Sequence, residues 1–134
     1  MELKTRRKGY VTIVDIRGKI TVGKADVILR QALFELLNND RRHILLNLED
    51  TTYVDSCGLS EIIMCYRRAR EQDGTIKLLN PRRRIRDLLR ITRLDEVLEI
   101  YTDEDAALAS FHRCSSEKEG VAMLLLPRPT PFLI

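Results

Sequence analysis

Residues 42–69 have the sequence R-H-I-L-L-N-L-E-D-T-T-Y-V-D-S-C-G-L-S-E-I-I-M-C-Y-R-R-A. The largely apolar run at 44–48 has the length and composition of a buried strand. A polar turn at 49–52 separates this strand from the tetrapeptide D-S-C-G at 55–58. The residues that follow predict an amphipathic helix, with helical spacing of the apolar positions Leu59, Ile62, Ile63, Tyr66 and Ala69.

Asp55 and Ser56 therefore lie where a strand and a loop give way to the N-terminus of a helix. The first N–H groups of a helix have no partner within it, and the helix dipole favours negative charge there. Ser56 has two candidate roles at this point. It caps the helix, which stabilises by roughly 0.5–2 kcal/mol, or it accepts a phosphate carrying about −1.5 to −2 charge. The residues alone leave both roles open.

The run L-N-L-E-D at 46–50, followed by V-D-S-C-G-L at 54–59 and an amphipathic helix, closely resembles the STAS domains of bacterial anti-sigma factor antagonists. In that family the serine after the aspartate of the D-S-x-G-L motif is phosphorylated by an anti-sigma factor that is also a kinase. The resemblance covers roughly residues 8–112 and assigns phosphorylation to Ser56. It also implies a partner-binding surface that consists of Thr21, Asp55, Ser56, Cys57, Gly58 and Leu59.

Many phosphorylatable family members carry an acidic residue in the loop after their second strand, close to the phosphoserine and the kinase interface. Aligning Gly18, Lys19 and Ile20 with that segment places Thr21 at the acidic position. The missing carboxylate should reduce charge repulsion around a phosphoserine. This departure leaves the cognate kinase unidentified.

The order of predicted elements indicates the fold class. Strands alternate with helices at lengths typical of a small α/β sheet with parallel pairings and helical cover. The resemblance implies the same architecture, a STAS fold with a small mixed β-sheet of roughly four to five strands and four helices. We predict strands at 9–17, 44–48, 76–79 and 97–100, an earlier edge strand near Leu3 and Lys4, and helices at 24–37, 57–72, 82–91 and from 103 onward.

Residue types at the element boundaries predict how each element ends. Gly18 and Lys19 are expected to end the strand at 9–17, and Gly74 is expected to be the residue that terminates the serine helix. Thr102 is a predicted N-cap for the final helix. Arg93 stands where family members usually carry glycine.

A chain of 134 residues fits one domain with its own core. Its composition, 44% hydrophobic and 32% charged, contains no apolar run near the roughly 20 residues of a membrane span. The basic N-terminus lacks the apolar region of a signal peptide, so we expect a cytoplasmic protein without a membrane span. The three cysteines Cys57, Cys65 and Cys114 are odd in number and are expected to be reduced thiols. A position beside a helix N-terminus can make a thiol mildly reactive, but we expect Cys57 to be a small packing residue.

Six arginines occupy the twelve residues 82–93. Interleaved aromatic residues and a recognition-helix motif are both missing, so we expect a solvated or partner-facing surface and no direct nucleic-acid binding. His43 and His112 lack the neighbours of a metal site, and the segment 18–23 lacks the spacing of a Walker loop. We therefore expect no enzyme, no metal and no cofactor.

Two functional hypotheses follow. In the first, the unphosphorylated protein binds an anti-sigma factor serine kinase and thereby releases a sigma factor, and phosphate on Ser56 blocks docking until a phosphatase removes it. In the second, the chain is a non-switching STAS scaffold or transporter-accessory module in which Ser56 is only a helix cap. The intact D-S-x-G-L motif favours the first hypothesis.

We predict a STAS domain at 1–114 and a C-terminal extension at 115–134. The extension begins as a linker, becomes strongly apolar at 121–126 and then contains the three prolines of P-R-P-T-P. Those prolines exclude a continuous helix or a central strand. We expect the extension to dock on the domain or on a second chain, the latter forming a homodimer.

Overall fold

The computed structural model describes residues 1–111, in which one mixed sheet is flanked by helices. Its strands are β1 (Glu2–Lys8), β2 (Val11–Ile20), β3 (His43–Asn47), β4 (Thr51–Val54), β5 (Thr75–Leu79) and β6 (Ile100–Tyr101). Its helices are α1 (Lys24–Asn38), α2 (Ser56–Glu71) and α3 (Arg83–Ile91), followed by a 3-10 turn at Leu94–Glu96 and by helical residues 104–111, here α4. The predicted extension at 115–134, with Cys114 and His112, lies outside the described residues.

The strand order of the sheet is β1-β2-β3-β5-β6. β1 and β2 pair antiparallel, and every other pairing within residues 1–111 is parallel. β4 pairs with the last residues of β2, beyond the point where the β2–β3 pairing ends. The predicted α/β class and the small mixed sheet with helical cover are confirmed, and the edge strand near Leu3 is β1.

Alternating side chains of the central strands form a separate apolar layer on each face of the sheet, as the two-residue period of a strand requires. One layer joins β2 and β3 to α1, α2 and α3, and its buried members include Val14, Leu46, Leu33, Ile62 and Ile85. The opposite layer lies under α4 and includes Ile13, Leu45, Ala107 and Phe111. Helices therefore cover both faces of the sheet.

A buried lysine fixes α4 on its face of the sheet. Lys77 is 1% exposed, and its Nζ donates to Ser110 Oγ at 2.9 Å and lies 3.2 Å from Glu99 Oε1. The same ammonium lies over the ring of Phe111, 4.8 Å from its centroid. Because a buried ammonium needs hydrogen-bond partners, these contacts favour one docked position of α4.

Two boundaries near the predicted serine helix were wrong. β2 does not end at Gly18 and Lys19 but continues to Ile20, with an irregular register between Gly18 and Lys19 and a positive φ of 104° at Gly18. The predicted polar turn at 49–52 is shorter than expected, because Thr51 begins β4 and its hydroxyl donates to the Ile16 carbonyl at 2.9 Å. The extension of β2 and the formation of β4 depend on each other.

Three further boundary predictions were wrong. Val97 is exposed and not in a strand, and the last strand consists of Ile100 and Tyr101 alone. Asp103 rather than Thr102 caps α4, since the Ala106 N–H donates to its Oδ2 at 2.9 Å. The left-handed residue after α2 is Asp73, whereas Gly74 is a close-packing position where a Cβ would lie 2.2 Å from the Arg42 carbonyl oxygen.

Candidate functional site

Asp55, and not Ser56, caps the first turn of α2. The Gly58 N–H donates to Asp55 Oδ1 at 2.8 Å, and the Leu59 N–H donates to the Asp55 backbone carbonyl at 2.9 Å. Asp55 has the extended backbone of an N-cap residue, while Ser56 is the first residue of the helix. The capping role considered for Ser56 is therefore wrong, which leaves open whether the protein is a switching antagonist or a non-switching STAS module.

The second carboxylate oxygen of Asp55 holds the loop between β2 and α1. Its Oδ2 accepts from the Val22 N–H at 2.9 Å, and the Asp55 N–H donates to the Ile20 carbonyl at 3.2 Å. The hydrogen bonds from Gly58 and then Val22 lower the pKa of Asp55 from its usual range. One carboxylate thus fixes both the start of α2 and the neighbouring loop.

Ser56 is exposed beside this anchored carboxylate. Within residues 1–111, its hydroxyl makes no hydrogen bond to another group. Modification of this hydroxyl therefore breaks no contact of the described fold. A phosphate on Ser56 would lie next to the charge of Asp55, so the first turn of α2 would carry two neighbouring anionic groups.

Gly58 permits α2 to begin directly against the end of β2. A Cβ at this position would lie 2.3 Å from the Ile20 carbonyl oxygen and 2.8 Å from Ile20 Cγ2. Because real Cβ atoms do not approach other atoms this closely, any larger residue must displace the helix or the strand. The position of Ser56 relative to the loop at 21–23 depends on this close packing.

A shallow, mainly apolar groove of about 340 Å³ runs from Ser56 along the outer side of α2. Ser56, Ser60 and Arg67 lie on the helix side of the groove, and Leu94 from the 3-10 turn forms part of its opposite side. Met64 within it is 48% exposed. The groove thus places exposed apolar side chains beside the unbonded hydroxyl of Ser56.

The comparison with protein families identifies this fold. The family model described as "STAS domain" matches residues 2–107, which is most of the chain. The chain belongs to the STAS domain family. The resemblance stated from the sequence is thereby confirmed, and so is the expected STAS fold.

Curated relatives of this STAS domain include anti-sigma factor antagonists. The anti-sigma-B factor antagonist of Bacillus subtilis (strain 168) is 33% identical over 87 residues, which are 65% of this chain and 78% of the relative. The anti-sigma F factor antagonist of Paenibacillus polymyxa is 26% identical over 108 residues, 81% of this chain and 92% of the relative. Both alignments extend over most of the relative's length.

Solved structures with the same fold come from more than one kind of protein. The Bacillus cell fate determinant SpoIIAA in its phosphorylated form has a TM-score of 0.63 at 19% identity, with coverage of 78% of this chain and 96% of that chain. A sulfate transporter family protein from Wolinella succinogenes has a TM-score of 0.66 at 16% identity, with coverage of 81% and 90%. At these identities the likeness demonstrates the fold alone.

The STAS domain brings the sequence-predicted site residues together, at different depths. Ser56 and Cys57 are exposed and Thr21 is partly exposed, so the expectation that Cys57 is a packing residue was wrong. Gly58 and Leu59 are buried beneath them and act through packing. Cys65, in contrast, lies inside the core, where burial and the charge of Glu61 raise the pKa of its thiol to about 12.

Sequence reasoning missed the part of this surface that lies outside the motif. Val22, within the anchored loop, is 63% exposed, and Tyr53, two residues before the capping aspartate, is 47% exposed. Ser60 and Met64 follow Ser56 at steps of four residues, and this spacing could have identified the outer side of α2. No pattern in the sequence around Leu94 indicated that this residue lines the groove.

Two negative findings apply to residues 1–111. No group of three or more histidine, cysteine, aspartate or glutamate side chains is placed to hold a metal ion. None of the described helices combines the length and apolarity required to cross a bilayer.

Asp55→Asn is expected to separate the two functions of the capping residue. Asparagine keeps one acceptor oxygen for Gly58 but directs an NH₂ group at the Val22 N–H, so the loop bond is lost. Amide exchange at Val22 should accelerate while the first turn of α2 stays protected. This difference from wild type should be present near neutral pH and disappear as acid protonates Asp55, whose folded pKa is lowered.

The matched control for this experiment is Asp50→Asn, which removes an exposed carboxylate from the turn before β4. Its side chain makes no hydrogen bond to another group within residues 1–111, so exchange at Val22 should not change. Equal exchange at Val22 in wild type and Asp55→Asn would contradict the role assigned to Asp55.

Proposed function

We propose that this protein is an anti-sigma factor antagonist that is switched by phosphorylation of Ser56. The unphosphorylated form binds an anti-sigma factor with serine kinase activity, and the bound anti-sigma factor releases its sigma factor. Phosphorylation of Ser56 ends this binding, and a phosphatase restores it. The protein is the regulated partner and not the enzyme of the cycle.

The exposed, unbonded hydroxyl of Ser56 carries the proposal. A residue that serves only to cap a helix uses its side-chain oxygen on a backbone N–H, and here Asp55 does so. Ser56 therefore has no structural task within the described residues. Its hydroxyl is available to attack the γ-phosphoryl group of ATP held by a kinase.

The transfer step balances with ATP as the phosphoryl donor. The Ser56 Oγ forms a bond to the γ-phosphorus, the bond between that phosphorus and the bridging oxygen of ADP breaks, and the serine proton passes to a base of the kinase. The present chain contributes the nucleophile and the surface around it. Nucleotide, magnesium and base belong to the partner.

The names of the curated relatives support the choice of partner. The relative with 33% identity is an anti-sigma-B factor antagonist, and the second is an anti-sigma F factor antagonist. A transporter-family structure shares the fold, but its 16% identity supports no more than that. The transporter-accessory role therefore remains the alternative that the following experiment separates from partner switching.

Ser56 is expected to be the single phosphoacceptor. Purified protein incubated with its kinase-type anti-sigma factor, magnesium and ATP should gain one phosphate, which mass spectrometry should locate on Ser56. Ser56→Ala should gain none. Ser60→Ala is the matched control, because Ser60 is an exposed serine one turn further along the same groove, and this variant should be phosphorylated like wild type.

Phosphate found only on Ser60, Thr21, Thr51 or Thr52 would contradict the assignment of Ser56. No phosphorylation by any candidate kinase, together with binding to a transporter domain, would favour the alternative function.

A further inference from the structure

The solvent-facing side of α3 and its two ends form a dense basic surface, here called the arginine ridge. It consists of Arg82, Arg83, Arg84, Arg86, Arg90 and Arg93, all exposed. Asp87 is the one acidic residue in the same twelve positions. The whole chain has a net charge of only +3, so the ridge carries more positive charge than the chain as a whole.

Most of the ridge is not neutralised within the described part of the chain. Arg90 pairs with Asp87 at 3.4 Å, and Arg82 donates from Nε to the Glu49 carbonyl at 2.9 Å. Arg83 and Arg86, one turn apart, make no side-chain hydrogen bond or ion pair within residues 1–111. Like charges at this helical spacing repel one another, so the ridge lowers the stability of α3.

Two further features of this segment are unfavourable for the stability of the fold. The first turn of α3 has no acidic residue and no capping side chain, although negative charge is favoured at a helix N-terminus. Arg93 adopts a left-handed backbone with φ 63°, a conformation that glycine adopts without strain. Neither feature stabilises the fold, and Arg83 and Arg86 have no partner within residues 1–111, which indicates that these two arginines serve a surface role.

The ridge adjoins the groove that begins at Ser56. Leu94 follows Arg93 directly and lines that groove, and Ile91 between Arg90 and Arg93 is 78% exposed. Arg67 on α2 contributes a positive charge to the groove itself. An apolar centre with a basic rim is complementary to an apolar centre with an acidic rim.

We propose that the arginine ridge recognises carboxylates that surround the docking face of the anti-sigma factor, and so selects the cognate anti-sigma factor among related ones. This inference rests on the proposed function. It adds a specificity determinant outside the D-S-x-G-L motif and identifies the chemistry of the partner surface. Charges at the rim of an interface act mainly on association rate and on discrimination between partners.

Arg83→Gln combined with Arg86→Gln tests the ridge in the full-length protein. Glutamine keeps the helix propensity of arginine and removes the charge. Calorimetric titration with the anti-sigma factor that phosphorylates Ser56 should show about fivefold weaker binding at low ionic strength. The difference should disappear at high salt, where exposed charges are screened.

Arg7→Gln combined with Arg17→Gln is the matched control. It removes two exposed arginines from β1 and β2 and gives the same change of net charge. This control should bind within about twofold of wild type. Arg83→Lys combined with Arg86→Lys keeps the charge and should also bind nearly as wild type does.

Equal affinity of the glutamine ridge variant and the matched control would overturn the inference and leave the proposed function intact. Equal weakening by the lysine and glutamine variants would also overturn it, because charge would then not be the recognised property. No binding by wild type would overturn both the inference and the proposed function.

Two further probes are duplex DNA of random sequence and vesicles containing phosphatidylserine. We expect neither to bind in a ridge-dependent way at physiological salt. Binding of either probe by wild type that is lost only in the glutamine ridge variant would overturn the inference, since the ridge would then serve nucleic acid or lipid.

Discussion

Ser56→Asp should weaken binding to the anti-sigma factor at least about tenfold, corresponding to about 1.4 kcal/mol of binding free energy. A kinase must approach Ser56 closely, so this residue lies near the centre of the proposed interface. Negative charge there adds repulsion toward acidic partner groups and a desolvation cost on docking. Asp55 already places one carboxylate beside Ser56, and a second negative charge adds to it.

The fold of Ser56→Asp should be unchanged. The wild-type side chain is exposed and the cap of α2 is supplied by Asp55, so neither burial nor capping is lost. Far-ultraviolet circular dichroism and thermal denaturation should therefore match wild type within experimental error. The expected loss of affinity can then be attributed to the interface.

Thr102→Asp provides a charge-matched control, because it adds the same charge at an exposed residue that does not line the groove, and it should bind as wild type does. Ser56→Ala provides a neutral variant that should still bind and should resist switching off. Calorimetric titration of these variants beside the wild-type protein gives the comparison. The authentic phosphorylated protein should bind at least as weakly as Ser56→Asp, because phosphoserine carries more charge than aspartate. Equal affinity of wild type, Ser56→Asp and the phosphorylated protein would exclude a switch at Ser56.

Gly58→Ala should lower the free energy of unfolding by about 1–3 kcal/mol. Its new Cβ would lie 2.3 Å from the Ile20 carbonyl oxygen, so α2 and the end of β2 must separate. Thermal denaturation should show a melting temperature lower by several degrees. The separation should also weaken the Asp55 hydrogen bond to Val22 and thereby displace the surface around Ser56.

Gly74→Ala is the matched control for Gly58→Ala. A Cβ at Gly74 would lie 2.2 Å from the Arg42 carbonyl oxygen, so a similar loss of stability is expected at the opposite end of α2. Binding of the anti-sigma factor at a temperature where both variants are folded should be weaker for Gly58→Ala alone. Unchanged stability of Gly58→Ala would show that α2 and β2 do not pack as closely as described.

Local sequence patterns predicted those elements whose formation depends on their own apolar periodicity. α1, α2 and α3 each carry a stripe at helical spacing, and β3 and β5 are short apolar runs. β4 could not be recognised in this way, because a strand of only four residues depends on the available edge of β2. The same long-range pairing carries β2 past Gly18, where residue type alone predicted an end.

The sequence predicted which residues form the candidate site, but it did not predict the contacts between them. The D-S-x-G-L pattern located Asp55 and Ser56, and the residues alone left open whether Ser56 caps α2 or accepts a phosphate, because serine is a good N-cap residue. The structure assigns the cap to Asp55 through its contact with Gly58. The hydrogen bond from the Val22 N–H to Asp55 joins residues that are 33 positions apart, so no local sequence pattern could predict it.

The close packing of Gly58 on Ile20 limits what a short peptide can imitate. A linear peptide carrying D-S-C-G-L has the serine, yet it lacks the β2 carbonyl against which the helix begins and the Val22 N–H that orients the aspartate. Such a peptide would also lose conformational entropy when it forms an isolated helical turn, which weakens its binding. Competitive inhibitors of this surface should therefore be built on a folded scaffold that presents two non-contiguous segments.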